Sequence, residues 1–318
     1  MAAMRRLSCL LFGSSFVLAL AACQRDAPPR APAGAASSST PPASAPVASA
    51  SSVVANGTTD DSPEALMTEA FPTWKHGGVQ VLRVPHEQYP SEARTVAVQP
   101  SSVMKIDATH RALVTVGGPS DEHGEDAASH ADPGVVGVYL FELRDGRWFK
   151  TRAQDSVVWS GSHGSVHDIR KFDLAPGHPA LVVEGSFTGQ GETSIAADIV
   201  EVEPAGARLV LPILPLHEDT FGSAADGCED WVGGARTPTS EQLADPNAFA
   251  CREFTGTWRV EPVADGGPGD VVVAYRLNDT VDDAQGKTKH FERTERTVVF
   301  HYTPTGYVKA SGEPPAFW

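Results

Sequence analysis

The chain has 318 residues, with 25 Lys and Arg against 40 Asp and Glu, and a formal net charge of −15. This acidic balance opposes binding to nucleic acids and to anionic lipid surfaces, and it suits solubility or a basic protein partner. The length is sufficient for one large domain, or two modest ones, with a real hydrophobic core.

The chain begins with a short apolar leader that ends at a cysteine. Arg5 and Arg6 precede an almost uncharged stretch over residues 7–20, which is too short for a permanent membrane span. It runs into Leu20-Ala21-Ala22-Cys23, and these four residues resemble the lipobox of bacterial lipoprotein precursors. The resemblance implies that residues 1–22 are a signal peptide removed by signal peptidase II.

The same resemblance implies that Cys23 carries the lipid anchor. In bacterial lipoproteins this thiol receives a diacylglyceryl group, and the new amino group usually takes another acyl chain such as palmitate. Several acyl chains hold a protein firmly in a bilayer, where a single chain binds only reversibly. An Asp after the cysteine tends to retain such proteins in the inner membrane, so Gln24 implies the outer membrane, with the domain facing the periplasm.

Residues 24–62 have the composition of a disordered spacer. Ala, Pro and Ser occupy 24 of these 39 positions, and no aromatic residue occurs among them. Such a segment buries too little apolar surface to offset the entropy that ordering removes. We therefore predict a lipid-anchored tether over 23–62, which separates the membrane from a β-rich globular domain over 63–318.

The globular part opens with a helix signal and continues with strand signals. Ser62-Pro63-Glu64 has the order of an N-cap, a first-turn proline and an early acid, which predicts a short helix ending before Pro72. Asp145-Gly146 between two apolar runs predicts a tight hairpin. Period-two alternation predicts strands at 79–84, 95–98, 103–106, 112–116, 135–143, 147–150, 157–159, 169–174, 180–187, 195–202, 208–214, 254–263, 271–277, 289–294 and 298–302, with a return at 307–308.

Many short strands joined by Gly and Pro turns indicate an all-β fold of antiparallel sheets, a sandwich or a propeller-like arrangement. Residues 217–251 break the alternation, and Thr239-Ser240-Glu241 could start a brief helix there.

Two cysteines remain for a disulfide. Cys9 leaves with the leader and Cys23 is lipidated, so Cys228 and Cys251 form an even pair in an oxidising compartment, and we predict a bridge between them. Neither cysteine lies in a CxxC motif or beside a histidine, so the pair does not indicate zinc.

The loop that this bridge would close contains a candidate recognition surface. Glu229 and Asp230 could steer a basic partner, and Trp231 could anchor an interface. In the alternative interpretation Trp231 packs under the loop while the acids face water.

Two histidine-containing stretches could carry chemistry. His163 and His167, with Asp168 beside them, are catalytic candidates, although Gly161 and Gly164 oppose the helix that would align the two imidazoles. His123 and His130 lie in an acidic stretch and are metal candidates, although nothing in the spacing of that stretch places the ligands on one face. An exposed acidic loop is the simpler interpretation of that stretch, and no cofactor is expected.

The sequence does not contain GxSxG, HExxH or a glycine-rich phosphate loop. We therefore expect a non-catalytic envelope lipoprotein whose β domain binds a protein or another envelope component. The alternative is an envelope hydrolase with a non-contiguous His/Asp/Ser site, because such sites are defined by geometry and not by sequence position.

Overall fold

A computed structural model of the chain describes residues 57–85, 92–223, 227–243, 251–282 and 289–316. The leader, Cys23 and residues 24–56 of the predicted tether lie outside the described residues. Within the described part, no helix has the length and apolar character needed to cross a membrane.

The described residues form mainly strands. The helices are α1 (Pro63–Ala70), α2 (Cys228–Val232) and α3 (Ser240–Leu243). The strands are β1 (Gln80–Pro85), β2 (Ala93–Lys105), β3 (His110–Pro119), β4 (Gly134–Arg144), β5 (Arg147–Ser160), β6 (Asp168–Ala175), β7 (His178–Gly189), β8 (Glu192–Glu203), β9 (Gly206–Asp219), β10 (Arg252–Glu261), β11 (Asp270–Asp282), β12 (Lys289–Thr303) and β13 (Gly306–Ser311).

The first sheet contains β1 to β5 in sequence order, every pair antiparallel. The β4–β5 hairpin turns at Asp145-Gly146, where φ is 49° and 75°, as a tight turn with two left-handed residues requires. The predicted hairpin is therefore confirmed. Strand β4 is buried on both faces, with Tyr139 in the core under α1 and Val138 in the core facing the second sheet.

Helix α1 covers the outer face of the first sheet. The Ser62 hydroxyl accepts a hydrogen bond from the Ala65 N–H at 3.3 Å, and Pro63 occupies the first helical position. Leu66 and Met67 are fully buried against the sheet. The helix predicted from the sequence is thus confirmed, because the cap and the apolar face specify the same segment.

The contacts of the domain begin before residue 63. Thr58 pairs with Trp148 as an isolated antiparallel bridge. The Arg111 guanidinium donates to Asp61 at 2.9 Å. Both contacts tie the residues just ahead of α1 to the first sheet.

The second sheet contains β6 to β13, again in sequence order and antiparallel, and it curls into a half-barrel. The curl brings β6 towards β10, where the rings of Phe172 and Trp258 meet with their centroids 5.2 Å apart. Strand β9 contains a bulge at Ile213, where the register with β8 shifts, φ is 49° and the N–H donates to Asp198 at 2.9 Å.

The two sheets pack face to face through an apolar core. Alternate residues of β7 pack into different cores. Leu181 and Val183 face the first sheet, whereas Ala180 and Val182 face the interior of the half-barrel. Strand β5 lies across β7, β8 and β9 at this interface. The predicted all-β fold of antiparallel sheets is confirmed, as two sheets of five and eight strands.

Several strands predicted as separate are continuous. The segments at 95–98 and 103–106 belong to β2, where the register shifts between Pro100 and Ser102 because proline cannot donate to the ladder. The segments at 147–150 and 157–159 belong to β5, which also contains register shifts. The segments at 289–294 and 298–302 belong to β12, whose pairing with β11 continues through the charged residues between them.

The predicted disulfide is confirmed. Cys228 and Cys251 are bonded with their Cα atoms 5.5 Å apart, and both are buried with Trp231 in a small separate core. The loop is less irregular than the sequence indicates, because β9 extends to Asp219 and α2 begins at Cys228. Helix α3 begins at Ser240, in agreement with the predicted start.

Candidate functional site

A cleft of about 320 Å³ opens beside the first sheet, between the end of β3 and the loops that flank β4 and β6. We call it the glycine cleft. Its lining consists of Val79, Ala97, Gln99, Val116, Gly117, Gly118, Pro119, Ser120, Gly124, Asp126, His163, Gly164, Ser165 and Val166.

Glycines at the cleft allow backbone segments to touch. A Cβ on Gly118 would lie 2.1 Å from the carbonyl oxygen of Gly164, and one on Gly117 would lie 2.0 Å from that of Ala97. Gly164 also has φ of 68°, a conformation that side chains disfavour. The wall of the cleft therefore includes closely packed backbone, and a side chain at Gly118 would force β3 and the β5–β6 loop apart.

Backbone hydrogen bonds join the two loops that border the cleft. The His163 N–H donates to the His130 carbonyl at 3.3 Å, and the Gly164 N–H donates to the Asp132 carbonyl at 2.8 Å. The rings of His130 and His163 lie edge to face with centroids 6.4 Å apart. The two imidazoles are therefore neighbours, and both are exposed to solvent.

Asp132 fixes the outer loop. Its carboxylate accepts the Ser129 N–H at 2.8 Å and the Arg94 guanidinium at 2.5 Å. The hydrogen bonds from Ser129, followed by that from Arg94, lower the pKa of Asp132 to about 2. Asp132 is therefore ionised at neutral pH and serves to hold the loop.

The three catalytic candidates predicted from the sequence, His163, His167 and Asp168, lie in different surroundings. His163 lies at the glycine cleft, whereas Asp168 forms an ion pair with Arg170 at 3.4 Å. His167 contributes its backbone N–H to the Glu184 carbonyl at 2.7 Å. All three side chains are exposed, and within the described part of the chain no hydrogen bond or ion pair joins them.

Ser162 is the hydroxyl nearest to His163. Its Oγ lies 3.2 Å from His163 Nδ1, but it donates to the Ser186 carbonyl at 2.8 Å. The hydroxyl hydrogen is committed to that carbonyl, so the arrangement does not activate Ser162 as a nucleophile.

The predicted metal candidates, His123 and His130, lie in a loop in which a carboxylate accepts hydrogen bonds from backbone N–H groups of the same loop. Asp121 accepts the His123 N–H at 2.8 Å and the Glu125 N–H at 3.0 Å, and these bonds lower its pKa. His123 and His130 are exposed. Neither belongs to a group of three ligating side chains converging within 4.8 Å in the described ranges.

The candidate recognition residues are only partly available at the surface. Trp231 is 1% exposed and packs on the disulfide, so its ring cannot serve as a surface anchor, and the alternative placement under the loop is the one observed. Asp230 pairs with Arg236, and Glu229 is exposed.

A buried polar cluster in the half-barrel was not predicted from the sequence. Glu201 on β8 is 2% exposed and accepts hydrogen bonds from Arg208 at 2.8 Å and from the Tyr302 hydroxyl at 2.7 Å. Burial, together with the bond to Glu201, raises the pKa of Tyr302 to about 12, so its hydroxyl remains a donor at neutral pH. Glu201 follows Ile199 on the inward face of β8, and a charge at such a position was the available signal.

No protein-family model matches the chain, and no curated protein matches its sequence. Among solved structures, MPT-4, a mannose phosphorylase from Leishmania mexicana in complex with phosphate ion, is similar at 11% identity, over 76% of this chain and 73% of that chain, with a TM-score of 0.21. A score this low carries no inference about the fold or activity of the present chain.

Proposed function

We propose that this protein is a lipid-anchored binding protein of the bacterial outer membrane, facing the periplasm. Its β domain holds a basic segment of a partner protein, or another envelope component, in the glycine cleft without catalysing a reaction. The anchor follows from the lipobox that ends at Cys23.

The glycine cleft is the observation that carries the binding function. Val79 and Val166 offer apolar surface, while Asp126, His163 and Ser165 place polar groups around it. Apolar surface with a few convergent polar groups is the usual composition of a binding site. The Asp126 carboxylate and the net charge of −15 both favour a basic segment as the occupant.

The alternative function is hydrolysis, and the contact between Ser162 and His163 is the observation in its favour. We rank it second because the Ser162 hydroxyl donates to Ser186. His163 contributes equally well to a binding rim.

Photo-crosslinking from inside the cleft tests the binding function. A photoreactive phenylalanine derivative is placed at Val79 or at Ser165 in cells that produce the protein, since both positions are exposed and line the cleft. We expect a discrete crosslinked adduct from each position. Val79→Trp, which fills part of the cleft, should weaken the adduct formed from Ser165.

Val308 is the matched control position. It lies on β13 in the other sheet and is 49% exposed, compared with 46% for Val79. Adducts of equal yield from Val308, or none from either cleft position, would contradict a binding role for the glycine cleft.

A further inference from the structure

A histidine and two glutamates converge at one end of the half-barrel, and none of the three lines the glycine cleft. The ligating atoms of His178, Glu201 and Glu203 all lie within 4.8 Å of one another. Strand pairing explains the convergence: Ala180 of β7 faces Glu201 of β8, so His178 and Glu203, each two residues further on, fall on the same face at neighbouring positions.

Glu201 directs an oxygen that has no hydrogen-bond partner among the described residues into this group. Its Oε2 atom is occupied by Arg208 and Tyr302, whereas its Oε1 atom is buried and has no hydrogen-bond partner among the described residues. His178 Nδ1 is buried in the same way and faces Oε1 at 3.5 Å. At this distance the two atoms form an ion pair when the imidazole is protonated, but they do not form a good hydrogen bond. A bridging cation would satisfy both buried atoms with a neutral imidazole.

The spacing fits a shared metal ion. A tetrahedral Zn²⁺ bound by an imidazole nitrogen and a carboxylate oxygen, each at about 2.0–2.2 Å, separates the two ligand atoms by about 3.3–3.5 Å. The observed separation of His178 Nδ1 and Glu201 Oε1 is 3.5 Å. A carboxylate oxygen of Glu203 lies within 4.8 Å of both atoms, and Glu203 is exposed, so the group is open to solvent on that side.

The surroundings of Glu201 support this role. Arg208 and Tyr302 hold the carboxylate through Oε2, which leaves Oε1 as a single oriented ligand, in the manner of outer-shell partners in metal sites. Arg208 compensates one of the two carboxylate charges, so the site keeps a net negative charge that attracts a cation.

We infer that His178, Glu201 and Glu203 form a binding site for a divalent cation of the Zn²⁺ class, with a fourth position open to water. An imidazole with two carboxylates suits Zn²⁺ and neighbouring transition metals better than Ca²⁺ or Mg²⁺, which prefer oxygen ligands alone. The ion ties the start of β7 to the end of β8 and closes this end of the half-barrel. The inference is independent of the proposed function.

Isothermal titration of the purified, chelator-treated full chain with Zn²⁺ tests the site. We expect one ion per chain and a rise in Tm of about 5 °C or more at saturating metal. Co²⁺ at the same site should give the intense visible absorption of a tetrahedral ion.

Variants assign the binding to these residues. His178→Ala and Glu203→Gln should each weaken Zn²⁺ binding by more than about 100-fold, whereas Tyr302→Phe, which removes an outer-shell partner, should weaken it by about 10-fold. His301→Ala is the matched control, because His301 also faces a carboxylate, that of Asp270 at 2.7 Å, and it should leave Zn²⁺ affinity unchanged.

Glu201→Gln is unsuitable as the only variant, because it leaves the guanidinium of Arg208 without its buried carboxylate and could unfold the domain. Glu203 is exposed, so Glu203→Gln keeps the test valid. Failure of the unmodified chain to bind Zn²⁺, or full Zn²⁺ affinity in both His178→Ala and Glu203→Gln, would overturn the inference.

Discussion

Single carboxylates hold the loops around the glycine cleft. Asp126 accepts the Ala128 N–H at 2.9 Å, Asp121 accepts two N–H groups of its own turn, and Asp132 joins Ser129 to Arg94. In each case a side-chain carboxylate accepts a loop N–H group in place of a backbone carbonyl. The acids of this stretch therefore shape the rim of the cleft.

Asp132→Asn should lower the free energy of unfolding by about 1 kcal/mol at pH 7, allowing for solvent screening of a partly exposed carboxylate. Because folding lowers the pKa of Asp132 to about 2, its contribution is present above the ordinary aspartate pKa and is lost as the pH falls from about 4 towards 2. Urea unfolding at a series of pH values measures the difference between the two proteins, which should shrink over that range.

Glu122→Gln, an exposed substitution in the same loop, is the control for loss of a charge. A difference between wild type and Asp132→Asn that stays constant from pH 7 to pH 2 would show that the carboxylate charge is not responsible.

The function of these acids could not be predicted from the sequence. Composition shows that residues 121–132 contain acids and histidines, which is compatible with a metal site as well as with a loop. The partners are the N–H groups of the same loop and an arginine 38 residues away, Arg94, and only the fold brings that arginine to Asp132. For Glu201, the inward position on β8 could be predicted from the alternation of the strand. Its hydrogen-bond partners on β9 and β12 could not, because only the fold brings them to it.

Helices and turns could be predicted where several neighbouring residues indicate the same structure. The cap of α1, the β4–β5 turn and the disulfide were all predictable, since each depends on residues close in sequence or on a simple count. The continuous strands β2, β5 and β12 were not. Their alternation is interrupted, and pairing with a neighbouring strand carries them through the interruption.

The disulfide should stabilise the β9–β10 connection by about 3 kcal/mol, because it closes a loop between residues 23 apart. Replacing both Cys228 and Cys251 with serine should lower Tm by about 6 °C or more. Differential scanning calorimetry under non-reducing conditions measures this change.

Reductant should lower the Tm of the wild-type protein and leave that of the double-serine variant unchanged. An unaltered wild-type Tm, with both thiols shown to be free by mass spectrometry, would contradict a stabilising role for the bridge.

Across the whole molecule, three stacked cores link the layers. The first lies between α1 and the first sheet, the second between the two sheets, and the third inside the half-barrel. Gln154 on β5 adds a polar link between the sheets, since its amide accepts the Ala207 N–H at 2.7 Å and donates to the Ala207 carbonyl at 2.8 Å. The interface between the two sheets therefore combines an apolar core with a pair of hydrogen bonds that fixes β5 against β9.

The proposed anchor makes a prediction about the whole protein. Cys23→Ser should abolish incorporation of labelled palmitate and move the protein from the membrane fraction to the soluble fraction, because the domain then has no acyl chains. Cys9→Ser is the matched control, since Cys9 is expected to leave with the leader. Palmitate label or membrane retention that persists in Cys23→Ser would contradict the anchor.

The strand order has a consequence for how the chain folds. In both sheets every strand pairs with the strands adjacent in sequence. Each antiparallel pair can therefore form as soon as its second strand is available. A chain that emerges N-terminus first can thus complete β1 to β5 before β6 appears and then extend the half-barrel one strand at a time, which limits how long unpaired strand edges stay open to aggregation.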